Sequence, residues 1–465
     1  MFFGMMDTEQ YGKYDVRTRT WIPGVDNQAN IRVEDYNDAL LYLYPGGSEA
    51  VLTALINKIS KKAACTDPNI HWFTKTYPKQ YGAVTSVWQD PGMTIAYAGG
   101  GMPEDPVYLW VPADTAILCR PGHQVLLRYT DDPRLDVVAK VINVTVNGNN
   151  STIGVRLIEP DDNAPAVAAT GQLQHTLADC DNLLIIGNSN PEGAGWPLAI
   201  SRVPEEWQNH TQIFLNSSEI TRTAAQSHTR FAKDGGRADM LKETLLDHST
   251  EKERAFIWGQ YSKRIGDNGH PERTMMGIIP AIKRGGYVSD FRYEVDPLVA
   301  GQTWQNGWYT WIMLALERCF RYGSSKERIA FCGSRAWIQI QNAIRNDPNS
   351  EFVWDTKTKA YGIRVVELIT VHGVVYLMPH PLFMYNPIDQ DSMLIFDPTD
   401  LVYRFLQDTV LVGKSDLKKM LSDSNHRGWT DSFTEGWLAE VTLEFHNPVK
   451  WALLTGFGYN NVIVP

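Results

Sequence analysis

The sequence predicts an α+β protein with an all-β block inserted between helical regions. Three observations predict it. Short β-runs separated by turn residues fill 77–188, with no helical period between them. Helical periodicity then returns at 237–264 and 303–321. Strand patterns at 328–332, 363–378 and 436–457 alternate with helices over the last third of the chain, as around a mixed sheet.

Residues 1–45 are rich in Tyr, Asp, Asn and Arg and are punctuated at Pro23, Gly24, Pro45 and Gly46, so they read as an extended arm. Ser48 has the chemistry of an N-cap. After it Glu49, Val51, Leu52, Leu55, Ile56 and Ile59 form a stripe, with Lys58, Lys61 and Lys62 in the last turns, where cations complement the helix dipole. Within the β block the strands are 107–111, 124–129, 137–146, 152–158 and 183–187. Asn147-Gly148 marks a hairpin whose loop is lengthened by Asn149 and Asn150. A small barrel or sandwich, or an extended hairpin carrying one, is expected. Gly99, Gly100 and Gly101 form a flexible spot, and 193–207 is a Gly/Pro/Trp linker. A short strand with a polar exit begins at Asn209.

The helix 237–264 places Ala238, Leu241, Leu245, His248 and Ala255 on one face. Lys242, Glu243, Glu251, Lys252, Glu253 and Arg254 fall mostly elsewhere. A continuous helix there is about 40 Å long, and a Gly/Arg/Thr-rich joint follows at 268–277. Trp304, Trp308, Trp311, Ile312, Ala315 and Cys319 recur at the spacing of a buried helix face. Ser334 caps a further helix bearing Ala336, Trp337, Ile340 and Ile344. The runs 363–369 and 374–378 pair across Val371-His372-Gly373, 392–396 adds a strand, and one long strand, 436–457, closes the pattern.

A chain of 465 residues with 43% hydrophobic and 21% charged residues has room for two to four domains and a sizeable core. Fifteen Trp and 20 Tyr suit cores and interfaces alike. The net charge of -10 opposes a nucleic-acid-binding role but not one of merely enclosing DNA. Cys65, Cys119, Cys180, Cys319 and Cys332 show no metal-ligand spacing and read as reduced, partly buried thiols. Neither a signal peptide nor a membrane-spanning apolar run is visible. A soluble protein, intracellular when made, is therefore expected, and the sequons at Asn143, Asn150, Asn209 and Asn216 are read as chance.

The candidate chemistry is thin. His270, His372, His380 and His426 lack the helical i, i+4 spacing of a zinc enzyme and read as surface or capping histidines. Asp389, Asp391, Asp397 and Asp400 lack the order of a calcium loop and read as solvated turn carboxylates. Val412-Gly413-Lys414-Ser415 lacks the upstream glycine of a phosphate loop, and the run from Gly99 to Pro103 lacks dinucleotide-binding spacing. Arg273, Lys283 and Arg284, beside Gly277, Gly285 and Gly286, form a small basic, flexible joint facing DNA, a neighbouring carboxylate or solvent. No catalytic, cofactor-binding or metal-ligating residue is assigned, and no cofactor is expected.

Four local patterns add to the element order. They are Asn209-His210-Thr211-Gln212-Ile213-Phe214; the stretch 239–259 followed by 273–278; the hairpin 361–366 to 377–382; and 440–448 with Leu454-Thr455-Gly456 downstream. Together they resemble the HK97-fold major capsid proteins of tailed bacteriophages, in particular the N4-like and SU10-like subset whose elongated loop carries a β-rich insertion. The resemblance implies an N-terminal arm and amphipathic helix at 1–75 and an elongated loop with its insertion at 76–208. It further implies a peripheral domain at 209–299 with a spine helix at about 235–265, an axial domain at 300–405, and a return to the peripheral domain at 406–465.

The implied function is that of a major capsid protein, not an enzyme. Its copies would form the hexamers and pentamers of an icosahedral head enclosing double-stranded DNA without sequence-specific binding. The implied partners are itself and portal, scaffolding and cement proteins, with no membrane; the implied location is the virion, after assembly in the host cytoplasm. No Lys–Asn pair is assignable for covalent cross-linking, and no charged coiled-coil prefix is recognisable, so scaffolding would be separate or removed. Two alternatives stand beside it. A multidomain hydrolase with a β-rich binding module would need polar residues clustered in a pocket, and another virion structural protein would show repeats or trimeric stalks.

Overall fold

The computed structural model describes residues 13–15, 20–22, 51–59, 61–75, 80–132, 134–148, 151–161, 175–193, 195–196, 204–227, 236–322, 325–346, 353–358, 364–413 and 432–463. Two compact units emerge. Unit one combines Met1–Trp72 with Trp207–Pro465, and unit two is Phe73–Glu206. The chain begins with the paired strands β1 (Lys13–Asp15) and β2 (Thr20–Ile22), then helix α1 (Val51–Ile59) and strands β3 (Lys61–Ala64) and β4 (Asn69–Thr74).

Next come β5 (Tyr81–Ala83), β6 (Ser86–Trp88), β7 (Pro106–Val111), α2 (Ala113–Leu118), β8 (His123–Arg128), β9 (Asp136–Thr145), β10 (Ser151–Leu157) and β11 (Asn182–Asn188). Their sheet order is β5-β11-β8-β9-β10-β7-β6, with antiparallel neighbours. β5 and β6 are opposite edges of this sheet, yet only Val84 and Thr85 separate them. Two residues span at most about 10 Å, so the sheet must curl until its edges meet. The backbone completes the ring: Val84 N–H donates to Asp181 O at 2.8 Å on one side, and Thr85 N–H donates to Trp110 O at 2.7 Å on the other. Unit two is thus a small barrel whose first stave is interrupted. Alternate residues such as Val107, Leu109, Val125, Leu127, Val137, Ile153 and Val155 point inward and fill it. The expected hairpin at Asn147-Gly148 joins β9 to β10, with Gly148 in the left-handed region at φ 53°. The short helix α2 is an addition to the predicted pattern.

Unit one continues with β12 (Glu205–His210), β13 (Gln212–Thr221), α3 (Arg222–Gln226), α4 (Arg237–Trp258), β14 (Ser262–Ile265), β15 (Pro271–Thr274), α5 (Ile278–Gly285) and β16 (Tyr287–Asp290). It then runs through α6 (Trp304–Phe320), β17 (Glu327–Cys332), α7 (Ser334–Asn346), β18 (Val353–Thr358), β19 (Arg364–Ile369), β20 (Val374–Pro379) and α8 (Pro381–Tyr385). The last strands are β21 (Met393–Phe396), β22 (Leu401–Gly413), β23 (Ser432–Phe445) and β24 (Ala452–Thr455).

Two larger sheets organise these elements. The first, β13-β23-β22-β3, carries α4 on one face. The second, β16-β24-β21-β17-β20-β19-β18, is mixed, with parallel pairs at β16/β24 and β17/β20. The α6 stripe lies as its period predicts: Trp304, Trp308, Trp311, Ile312, Ala315 and Cys319 are all buried against this second sheet.

Several local expectations are corrected. The long helix ends at Trp258, giving 22 residues, about 33 Å, not the span to 264 or 265. Gly259 turns the chain out, and a Cβ there would lie 2.4 Å from Ala255 O and 2.8 Å from Met275 O. Beyond it, 262–274 forms the β14–β15 hairpin, so the predicted joint is its turn and returning strand. The single closing strand is two strands in two sheets. Asn447 at φ 50° and the N–H-less Pro448 break the ladder between them. The polar exit after Phe214 is instead the second half of β13, paired along its whole length with β23.

Lys61 and Lys62 belong to β3, not to a helix turn. Gly333, ahead of Ser334, starts α7 by accepting from Trp337 N–H at 3.0 Å. The basic joint is ordered: Arg273 lies in β15, and Lys283 and Arg284 lie in α5. On α4, Ala238 is exposed while Lys252 and Glu253 are buried. Ser48, Glu49, Asn149, Asn150, Lys414, Ser415 and His426, with the arm apart from β1 and β2, lie outside the described residues.

Candidate functional site: buried polar junctions and an open apolar sheet face

Phe256 and Ile257 fix the inward face of α4, and one turn earlier the same face presents Lys252 and Glu253. Glu253 is fully buried. Its Oε1 accepts from Leu52 N–H, and its Oε2 accepts from Thr53 N–H at 2.8 Å and Thr53 Oγ1 at 2.6 Å. Leu52 and Thr53 occupy the first turn of α1, where backbone N–H groups have no partner within their own helix. The carboxylate therefore caps α1 from a position about two hundred residues away in sequence.

Oε1 also lies 3.0 Å from Nε2 of the fully buried His380. His380 Nδ1 accepts from Leu382 N–H at 3.3 Å as the N-cap of α8, which assigns the proton to Nε2 and its hydrogen bond to Glu253. The imidazole packs between Phe331 and Phe383. Of the four histidines weighed from sequence, His380 is thus a capping group as read, but in the core and not at the surface. Lys252 Nζ donates to Thr409 Oγ1 at 2.7 Å, and burial pulls its pKa down.

Two more junctions hold unit one together. Asn209 is fully buried, with every polar position filled. Its Nδ2 donates to Leu443 O at 2.8 Å and Met276 O at 3.2 Å, and its Oδ1 accepts from Met276 N–H and His210 N–H. It ties β12 to β23 and to the segment leading into α5. Arg328 Nη1 meets Asp397 Oδ2 at 2.8 Å, with both side chains essentially inaccessible. Nη1 also donates to Glu327 O, and Nη2 reaches Cys319 O near the C-terminus of α6. Asp397 Oδ1 accepts from Thr399 N–H and Oγ1.

The four aspartates weighed from sequence are accordingly not all solvated. Asp397 and Asp391 are buried, and Asp400 pairs with Lys450 at 2.8 Å. Asp389, pushed up in pKa by burial, receives Asn386 Nδ2. Among the described residues no group of three or more His, Cys, Asp or Glu is arranged to hold a metal ion. No described helix is long and apolar enough to cross a membrane. In the basic joint Arg284 stacks 4.2 Å from the Trp207 ring while Lys283 points to solvent.

Among the described residues, the sheet face opposite α4 is covered at Val402, Thr442 and Glu444 and exposed along the other half of β13 and β22. Direct cross-strand partners share a face, so Ile213 and Glu440, Leu215 with Leu438 and Val410, and Ser217 with Gly436 and Val412 all point the same way. Phe214 and Asn216 point the other way, onto His248 of α4. On the open face Ile213 is 58% and Leu215 66% exposed, and Val410 and Val412 are exposed beside them. Isolated apolar side chains are normal at a surface, but a contiguous strip of them marks an interaction site.

A family model described as SU10 major capsid protein matches residues 20–458. The major capsid protein of Pseudomonas phage PaMx41 is 24% identical over 298 residues, 62% of this chain and 68% of its own. Among solved structures, a chain of Mycobacterium phage Bobi is similar over 92% of this chain and 96% of its own, with TM-score 0.40 and 9% identity. For one of Mycobacterium phage Adephagia the shares are 94% and 97%, with TM-score 0.39 and 8% identity. For the capsid structure of the cyanophage P-SCSP1u they are 58% and 80%, with TM-score 0.33 and 13% identity.

Proposed function

Because this chain belongs to the SU10 major capsid protein family and is a phage major capsid protein, we propose that it is a structural subunit without catalytic activity. Its copies close into the hexamers and pentamers of an icosahedral head around double-stranded DNA. The parts divide accordingly. Residues 1–75 are the arm with α1, and 76–208 the elongated loop bearing the barrel. Residues 209–299 are the peripheral domain with α4 as its spine, 300–405 the axial domain, and 406–465 the return. Assembly takes place in the host cytoplasm, with portal, scaffolding and cement proteins as partners. The net charge of -10 lets the wall enclose DNA without binding it.

The observation that carries the reading is the open apolar strip of Ile213, Leu215, Val410 and Val412. A shell needs many repeated, individually weak contacts and no pocket, because closure in a lattice adds them together. The test is light scattering with negative-stain electron microscopy of the purified protein, alone and co-expressed with its scaffold. Megadalton shells, tubes or rings are expected, together with their loss in a Leu215→Asp variant that keeps its circular dichroism. A monodisperse monomer under both conditions would refute the reading.

A further inference from the structure

We propose that Glu253 is a latch that makes attachment of α1 conditional on the relative position of α4 and the β20–α8 corner. Three elements converge on this one carboxylate. From α1 come Leu52 N–H, Thr53 N–H and Thr53 Oγ1; from α8 comes His380 Nε2; the carboxylate itself belongs to α4. α1 has nine residues, too few to persist alone in water. Its apolar side, Leu52, Leu55 and Ile56, lies in the core shared with Ile257, Phe383 and Leu401. The first-turn amides of α1 are buried with it and need an acceptor, and the acceptor they use is Glu253.

Hydrogen bonds tolerate only a few tenths of an ångström beyond their optimum before they fail. A displacement of α4 by about 1 Å relative to the His380 corner therefore cannot keep all four donors on one carboxylate. α1 binds in one registration of α4 and is released from others. The latch is a property of unit one and holds whether or not copies assemble.

Hydrogen–deuterium exchange of the purified full-length chain tests this, read by mass spectrometry on peptides covering 51–59 and 304–320. Glu253→Gln keeps the shape but turns an amide donor toward donors. It is expected to speed exchange in α1 at least about ten-fold while α6 stays protected. Thr53→Val removes a single donor and is expected to speed α1 exchange by less. In a Glu253→Leu background, where no acceptor is left, Thr53→Val is expected to add nothing. Unchanged α1 protection in Glu253→Gln, equal loss of protection in α6, or additive effects of Glu253→Leu and Thr53→Val would each overturn the latch. If Glu253→Gln does not fold, Thr53→Val decides alone: a rise confined to α1 supports the latch, and no rise or a global one refutes it.

Discussion

Replacing Asp397 with alanine is the severest single test of unit one's core. The substitution leaves the Arg328 guanidinium inaccessible to water and without the carboxylate it meets at 2.8 Å. Breaking one side of a buried pair costs about 3–5 kcal/mol, because the surviving charge is neither paired nor hydrated. Loss of the Thr399 cap adds about 1 kcal/mol. The sum is comparable with the whole stability of many domains, so partial unfolding at 25 °C is the expected outcome. Removing both charges is different in kind. An Arg328→Met/Asp397→Leu protein has no orphaned ion, and such replacements are often neutral or stabilising by about 1–4 kcal/mol. Urea unfolding followed by tryptophan fluorescence is the assay, since Trp308 and Trp311 share α6 with Cys319, whose carbonyl receives the guanidinium. A shift of midpoint at constant slope reads stability alone. If the double variant is as unstable as Arg328→Met and Asp397→Leu added together, Arg328 and Asp397 do not act as a pair and the reasoning fails.

Other substitutions and conditions probe different contacts. His248 is buried, donates through Nδ1 to Asn216 Oδ1, and finds no partner for Nε2 among the described residues; burial and then Lys252 hold its pKa down to about 4. A base with a depressed folded pKa stabilises fully above its unfolded value of about 6.5 and loses that contribution as pH falls toward 4. Midpoints of urea unfolding should therefore fall across that window, and less steeply in His248→Gln. Thiol labelling at pH 8 should reach only Cys65, because burial raises Cys119, Cys180 and Cys319 to about 12 and Cys332 further still. Labelling of all five thiols before unfolding would contradict that order. Trp311→Ala should cost about 3–5 kcal/mol, since the ring is buried and its Nε1 donates to Ser289 Oγ at 2.8 Å. Trp311→Phe should recover most of that in the same unfolding assay.

The parts legible in the sequence were those fixed by local periodicity. The Trp stripe of α6, the β19–β20 hairpin and five of the seven barrel strands follow from spacing that one element imposes on itself; the three-residue β5 and β6 are too short to show it. What escaped depended on partners far away in the chain. Nothing local distinguishes the polar run Asn216 to Glu219 from a loop; only its pairing with β23 makes it a strand. The split between β23 and β24 was signalled by Asn447-Pro448, but the hydrophobic run on either side masked it. Glu253 and Lys252 read as lying off the apolar face because carboxylates and ammonium groups are rarely buried. A usable signal did exist: Phe256 and Ile257 stand four residues on from Lys252 and Glu253, so an apolar pair at the end of the helix already marked that line as inward. His380 gave no such hint, because its burial follows from Phe331 and Phe383 closing over it. The open apolar face was equally invisible, since alternation alone does not say which side of a sheet a helix will cover.

The position of β23 and β24 within their sheets has a consequence for how the protein is made. β23 joins β13 to β22, and β24 lies between β16 and β21. Neither is an edge that adds to a finished sheet. A nascent chain that has emerged only as far as residue 430 holds all the flanking strands and lacks both bridges, so its ladders are unmated and its cores open. The barrel, whose strands are all contained in unit two, can close while the ribosome is still working. Unit one must wait for residues 432–455, because a chain interrupted before them lacks both bridging strands.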